Sequence, residues 1–217
     1  MNIKYPDGSS YDNEQNSLNY SSNSKRQKTI FGDRGMTLEE ELNRSNEYYR
    51  AHEIAVIYKK PVPLQIVKVD YPKRSKAVVK EAYFRQPSTT DYNGIYQGKY
   101  IDFEAKETKN KTAFPLKNFH SHQIEHLRSC LKQGGICFVI MRFSTLNEYY
   151  ILPASILIKY WDLQKQDGKK SIEYNIIVKN SVSIEPGYNP VLPYLEACDK
   201  MIDKLKGTKN GRRKNDP

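Results

Sequence analysis

Cysteine is scarce in this chain, and so are long apolar runs. The 217 residues include three cysteines, Cys130, Cys137 and Cys198. An odd number without paired metal-ligand spacing excludes a disulfide framework, so these read as reduced thiols in a cytoplasmic protein. No apolar stretch approaches the length that spans a bilayer. The polar N-terminus (Asn2, Lys4, Asp7, Asp12, Glu14) is not a signal peptide. Negative charge is also short. Thirty-five Lys and Arg face 25 Asp and Glu, a formal net charge of +10, and the pI is about 9.3. That balance favours a polyanionic partner, and with membranes set aside it points to nucleic acid. Hydrophobic residues make up 38 % of the chain, which is enough for one core. The length suits one domain with appendages.

What is present begins with a polar arm rich in Asn, Ser, Tyr and Lys. Thr37 and Glu40 have the spacing of a capping box, which predicts a helix to about His52 with Leu38, Leu42, Ser45 and Tyr49 on one side. Ile54–Tyr58 reads as a strand. Leu64–Tyr71 and Ala77–Phe84 read as two more, joined through Pro72-Lys73-Arg74-Ser75. Lys59, Lys60, Lys68, Lys73, Arg74, Lys76, Lys80 and Arg85 decorate this pair, and only Asp70 and Glu81 oppose them. Such a one-signed hairpin reads as a basic protrusion. Asp91 then opens a turn-rich stretch ending at Gly98. Tyr100–Lys106 alternates as a strand, with Ile101, Phe103 and Ala105 on one side and Asp102, Glu104 and Lys106 on the other. A helix is predicted from Gln123 to Lys132, stopped by Gly134-Gly135. Ile136–Met141 suits a central strand and Tyr149–Leu152 a neighbour. Two further helices are predicted at Ile156–Leu163 and Pro193–Lys206. The pattern predicts an α/β protein with a mixed sheet flanked by helices.

The chemistry lies between Ser88 and Lys106. Asp91 is followed, after twelve residues, by Glu104-Ala105-Lys106. Residues two apart on a strand leave the same face, so Glu104 and Lys106 are neighbours. Two carboxylates can hold Mg²⁺, which keeps several waters and takes few protein ligands. A lysine beside them can orient the attacking water or meet the charge that builds on a phosphate. Taken alone, an Asp followed by Glu-x-Lys is common in a chain with 28 % charged residues. The clean apolar face of the strand and the basic hairpin strengthen the reading.

Longer motifs add a resemblance. Arg34-Gly35-Met36-Thr37-Leu38-Glu39, Lys59-Lys60-Pro61, Tyr71-Pro72-Lys73-Arg74, Ser88 through Tyr96, Tyr100 through Lys109 and Phe119-His120 through His126 resemble the RecU Holliday-junction resolvases of Gram-positive bacteria. The likeness runs in order over roughly residues 34–200. It implies a restriction-endonuclease-like core of the PD-(D/E)xK type, with the basic β-hairpin as a protruding stalk. Asp91 would be the motif's Asp and Glu104-Ala105-Lys106 its (D/E)xK, with Thr90 where the motif has Pro. Asp33 stands where the family would have Asn. The resemblance implies that Thr89 and Gln123 join Asp91 and Glu104 around Mg²⁺, or Mn²⁺ in its place; read unaided, Gln123 is a solvent-facing helix residue. It also implies 5′-phosphate products and an assisting role toward the RecA recombinase. The expected organisation is a flexible arm over 1–32, a nuclease domain over 33–206 with the stalk at 59–85, and a basic disordered tail over 207–217.

The substrate so implied is four-way junction DNA. Cutting two opposed strands calls for a symmetric homodimer with two active sites. Arg34, Lys59, Lys60, Lys73, Arg74, Lys76, Lys80 and Arg85 are the expected DNA contacts, against the alternative of a solvated basic surface. Tyr71, Tyr83 and Phe84 either stack on bases at an opened junction or pack against the sheet. His122 and His126 have a ligand spacing on a helix, but no cysteine or carboxylate set completes a zinc site, and they could equally face phosphate. Two rival functions stand beside the resolvase. One is a nuclease with a different DNA preference. The other is a non-catalytic DNA-binding module on a nuclease fold.

Overall fold

The computed structural model describes residues 36–70, 78–85, 89–166 and 168–213. Helix α1 spans Leu38–Ala51, and the capping box is present. Thr37 N–H donates to Glu40 Oε2 at 2.7 Å, and Glu40 N–H donates to Thr37 Oγ1 at 3.2 Å. Two otherwise orphaned donors are thereby satisfied. The predicted side, Leu38, Leu42, Ser45 and Tyr49, is the buried one.

Strand β1 is Ala55–Lys59, β2 Leu64–Asp70, β3 Val78–Phe84, β4 Tyr92–Tyr96 and β5 Lys99–Thr108. A short β6, Ala113–Pro115, leads to helix α2, Ser121–Lys132, and Gly134 follows with a positive φ. Then come β7 (Ile136–Phe143), β8 (Glu148–Pro153), α3 (Ala154–Gln164), β9 (Ser171–Glu173), α4 (Tyr174–Asn180), β10 (Val182–Ile184) and α5 (Tyr194–Arg213). The main sheet has six strands in the order β1-β4-β5-β7-β8-β10. Its β5–β7 pair is parallel and the others are antiparallel. The mixed sheet flanked by helices agrees with the predicted class. Among the described residues no helix is long and apolar enough to cross a membrane.

The two faces of the sheet carry separate cores. On one, Tyr92 stacks on Phe103 at 4.8 Å between ring centroids, and Phe103 on Phe138 at 4.9 Å. These rings sit at paired positions of β4, β5 and β7. They pack with Leu38 and Leu42 of α1 and Tyr194 and Leu195 of α5. On the other face, Val139 and Met141 of β7 meet Ile124 and Leu127 of α2 and Leu157 of α3. Asp102, Glu104 and Lys106 alternate with Ile101, Phe103 and Ala105, so they lie on this second face.

The stretch after Asp91 is a strand, β4, where a turn-rich segment is predicted. The hairpin turn comes later, at Gln97 and Gly98, both at positive φ, closing a two-residue loop between paired Tyr96 and Lys99. Positive φ at both central residues is the type I′ arrangement that matches strand twist. Asn93-Gly94 reads as a turn, yet Gly94 is there because β1 comes close. A Cβ at Gly94 would overlap the Val56 carbonyl oxygen and stand 2.6 Å from Ile57 Cα. The strands β6, β9 and β10 and helix α4 carry no strong pattern, being 3, 3, 3 and 7 residues long. Helix α5 continues to Arg213, past the Lys206 end expected from sequence.

Strands β2 and β3 form a separate two-stranded sheet. Leu64, Ile66, Val67, Val78, Val79 and Phe84 are all exposed there. The hairpin therefore covers no core, as its basic composition suggests. Its connection, residues 71–77, lies outside the described residues.

The close approach at Gly94 gives the first expectation. Gly94→Ala should lower unfolding free energy by about 1–3 kcal/mol through overpacking, read as a lower midpoint in urea. An unchanged midpoint would mean that β1 does not pack on β4 in this way.

Candidate active site

Strand register builds the site. Tyr92 pairs with Phe103 across β4 and β5, so the next residue out on β4, Asp91, arrives beside Glu104. Its backbone N–H donates to Glu104 Oε2 at 3.2 Å. Lys106 Nζ stands 2.7 Å from Glu104 Oε1. This ion pair is the polar contact of Glu104 Oε1 among the described residues. Glu104 is fully buried. That burial, with the neighbouring Asp91 carboxyl next in effect, pushes its pKa up to about 8, and Lys106 opposes the shift only in part. The three residues picked out by sequence thus meet at one point. Asp91 lines two clefts, one of about 240 Å³ with Lys60, Pro61 and Thr89, the other of about 210 Å³ with Thr37 and Tyr92.

A second carboxylate lies on the same face of β5, and sequence reasoning gave it no role. Asp102 is fully buried. Thr90 Oγ1 donates to its Oδ1. Its Oδ2 accepts from Tyr100 Oη at 2.7 Å and Lys60 Nζ at 2.9 Å, and His126 Nε2 lies 3.0 Å away. Burial works against its charged form, but hydrogen bonds from Thr90, Lys60, Tyr100 and His126 outweigh that and hold its carboxyl below the ordinary value. The signal in the sequence was an acid at mid-strand between Ile101 and Phe103, where burial demands a partner.

Asp91 and Glu104 offer hard oxygen donors, which suit Mg²⁺. The buried Oε1 of Glu104 already faces a cation, the Lys106 ammonium at 2.7 Å, so it suits a position that takes positive charge. Thr89 is half-buried in the same cleft as Asp91, and its hydroxyl donates to Thr90 O at 3.2 Å. Gln123 is 4 % exposed and not solvent-facing as its position alone suggested. It sits in the first turn of α2, where its Oε1 accepts from His120 N–H at 3.0 Å. Docking of α2 on the sheet buries it. The preceding residue, His122, is held below its usual pKa by burial and then by the charges of His120 and Lys106.

The histidines divide. His120 and His122 stack with centroids 5.4 Å apart, while His126 turns to Asp102. Among the described residues, Asp102, His126 and Cys130 place donor atoms within 4.8 Å of one another. A carboxylate does therefore stand beside His126, which the spacing of His122 and His126 did not reveal.

Of the expected DNA contacts, Lys60 is turned inward to Asp102. Lys59 pairs with Glu39 at 2.5 Å and Lys80 with Asp70 at 2.6 Å, all partly or fully exposed. Arg85 Nε donates to Gln65 Oε1 at 3.1 Å across the hairpin. Exposed pairs of this kind contribute little and yield readily to a phosphate. Tyr83 is 59 % and Phe84 80 % exposed, so neither packs against the six-stranded sheet. Arg34, Tyr71, Lys73, Arg74 and Lys76 lie outside the described residues.

Comparison with known proteins gives a consistent picture. The family model of RecU, recombination protein U, matches residues 33–200. The Holliday junction resolvase RecU of Lacticaseibacillus casei is 57 % identical over 211 residues, covering 97 % of this chain and 100 % of that protein. The protein of the same name from Latilactobacillus sakei subsp. sakei is 58 % identical over 208 residues, 93 % of this chain and 97 % of its own. That from a Geobacillus species is 58 % identical over 201 residues, 93 % and 98 %.

The raised pKa of Glu104 has a sign that can be checked in metal-free protein. The folded state keeps a proton to about 8, while the ordinary value is 4.5. Between those values the unfolded chain binds fewer protons, so stability falls as pH rises through the window. The melting temperature of the wild type minus that of Glu104→Gln should therefore decline from pH 5 to pH 8. A flat difference would show that Glu104 carries no raised pKa.

Proposed function

The chain belongs to the RecU family, and from that premise we propose that it is a divalent-metal-dependent endonuclease that resolves four-way DNA junctions. The observation that carries this is the meeting of Asp91, Glu104 and Lys106 beside an exposed basic hairpin. Asp91 and Glu104 would hold the cation, Mg²⁺ or Mn²⁺, with Thr89 and Gln123 nearby to complete its surroundings. When bound, the cation polarises a phosphate and makes water more acidic.

The protein's own groups do the rest. Glu104 would hold the cation as a carboxylate, the form that burial alone disfavours and a neighbouring positive charge favours. Lys106 lies on the same face of β5, where its ammonium meets the negative charge that builds as water attacks phosphorus. The bond to the 3′ oxygen breaks, leaving a 5′-phosphate and a 3′-hydroxyl. The hairpin contacts the phosphate backbone and reads junction shape, with Tyr83 and Phe84 free to stack on bases. Two nicks in opposed strands require two such sites, hence a two-fold homodimer. A cytoplasmic setting and an accessory role toward RecA complete the reading.

Purified protein with Mg²⁺ should cut a four-way junction with paired, symmetric nicks and leave linear duplex intact. Lys106→Met should slow cutting by about 10²–10³-fold, the usual effect of removing one stabilising group. Asp91→Ala should abolish cutting while junction binding in Ca²⁺ persists. Equal cutting of linear duplex would favour a nuclease of another preference. Undiminished cutting by Asp91→Ala would remove this site from the chemistry.

A further inference from the structure

We propose that Lys60 and Asp102 form a positioning pair, separate from the metal-binding groups, that ties the root of the β2–β3 hairpin to Asp91. The inference rests on the reading of Asp91 as a cation ligand. Lys60 follows β1 directly and precedes Pro61-Val62-Pro63, the path into β2. Its backbone N–H donates to Asp91 O at 2.7 Å. Its ammonium donates to Thr90 Oγ1 at 3.0 Å and to Asp102 Oδ2 at 2.9 Å. Thr90 in turn donates to Asp102 Oδ1. One lysine therefore holds the main chain of Asp91 and the side chain of the residue before it.

Asp102 gathers more donors than Glu104 does. An ionised carboxylate has about four acceptor sites. Thr90, Lys60, Tyr100 and His126 supply four partners. Because an ionised carboxylate only accepts, His126 Nε2 carries the proton in that contact. Three of these donors converge on Asp102 Oδ2, whereas the polar neighbour of Glu104 Oε1 is the Lys106 ammonium at 2.7 Å. The donor set of Asp102, His126 and Cys130 would otherwise suit a soft cation. Lys60 Nζ already stands 2.9 Å from Asp102 and 3.5 Å from His126 Nε2, so an ammonium is the cation of this cluster. Removing a group that positions a metal ligand from outside its coordination shell commonly costs about 10–100-fold in metal affinity.

The test uses the full chain with Lys60→Met, Asp102→Asn and the double variant. Mn²⁺ binding is read by electron paramagnetic resonance without DNA, junction binding in Ca²⁺ across a salt series, and stability by melting. Lys60→Met should weaken Mn²⁺ binding by about 10–100-fold and leave the salt slope of junction binding unchanged. The double variant removes the buried Asp102 charge together with its half-buried Lys60 partner and should regain the melting temperature lost in the single variants, without regaining Mn²⁺ affinity. A salt slope lower by about one in Lys60→Met, with Mn²⁺ binding intact, would make Lys60 a phosphate contact instead. Mn²⁺ affinity that returns with stability in the double variant would reduce the pair to ordinary packing. Stoichiometric Zn²⁺ binding to the wild type that is lost in Cys130→Ser would make the cluster a metal site. Since Mn²⁺ is read without DNA, a wild type that binds Mn²⁺ yet cuts no junction counts against the nuclease reading alone.

Discussion

Burial of β5 between β4 and β7 forces two carboxylates, Asp102 and Glu104, into the interior on one face of one strand. An enclosed charge needs a partner or loses its charge. The two residues meet that demand in opposite ways. Asp102 gathers four hydrogen-bonding neighbours from four segments of chain and stays ionised. Glu104 has a lysine and an amide near it and is driven toward its neutral form. Carboxylates whose surroundings push their pKa values apart divide the work between them. Here one organises the protein and the other is ready for a ligand that brings positive charge.

The opposite face of β5 makes this arrangement tolerable. Tyr92, Phe103 and Phe138 form a stacked row over α1 and α5. Aromatic pairs across strands fix register as well as burying area. Register is what the site depends on, because a slip of one residue between β4 and β5 would turn Glu104 away from Asp91. The apolar core on one side thus determines the polar geometry on the other.

Much of the local structure was legible in the sequence. The capping box at Thr37 and Glu40, the alternation from Tyr100 to Lys106 and the buried run of β7 all follow from short-range patterns. Pairing of Glu104 with Lys106 needs only the two-residue period. The proximity of Asp91 was harder, since it depends on β4, and Asn93-Gly94 imitates a turn where the real constraint is contact with β1. The partners of Asp102 were invisible because they come from positions 60, 90, 100 and 126, which no spacing rule connects. Burial of Gln123 likewise belongs to the docking of α2, a tertiary event. The charge of Lys60 was legible and its direction was not: a lysine in a basic run reads as surface until a buried acid is found beneath it.

The hairpin turns these local facts into a question of coupling. A two-stranded sheet with both faces exposed has little stability of its own, so its direction is set where it joins the body. Among the described residues, Arg85 N–H donates to Pro63 O at 2.9 Å and closes the hairpin, and Lys60 reaches inward to Asp91, Thr90 and Asp102. A protein that reads the shape of DNA needs its reading element held in register with its cutting element, since phosphate contacts position the complex and carry no sequence information. Lys60, half-buried, joins the hairpin root to Asp91 and its neighbours with a single charge. The Lys60 amide, 2.7 Å from Asp91 O, joins the entry to the hairpin directly to the Asp91 main chain.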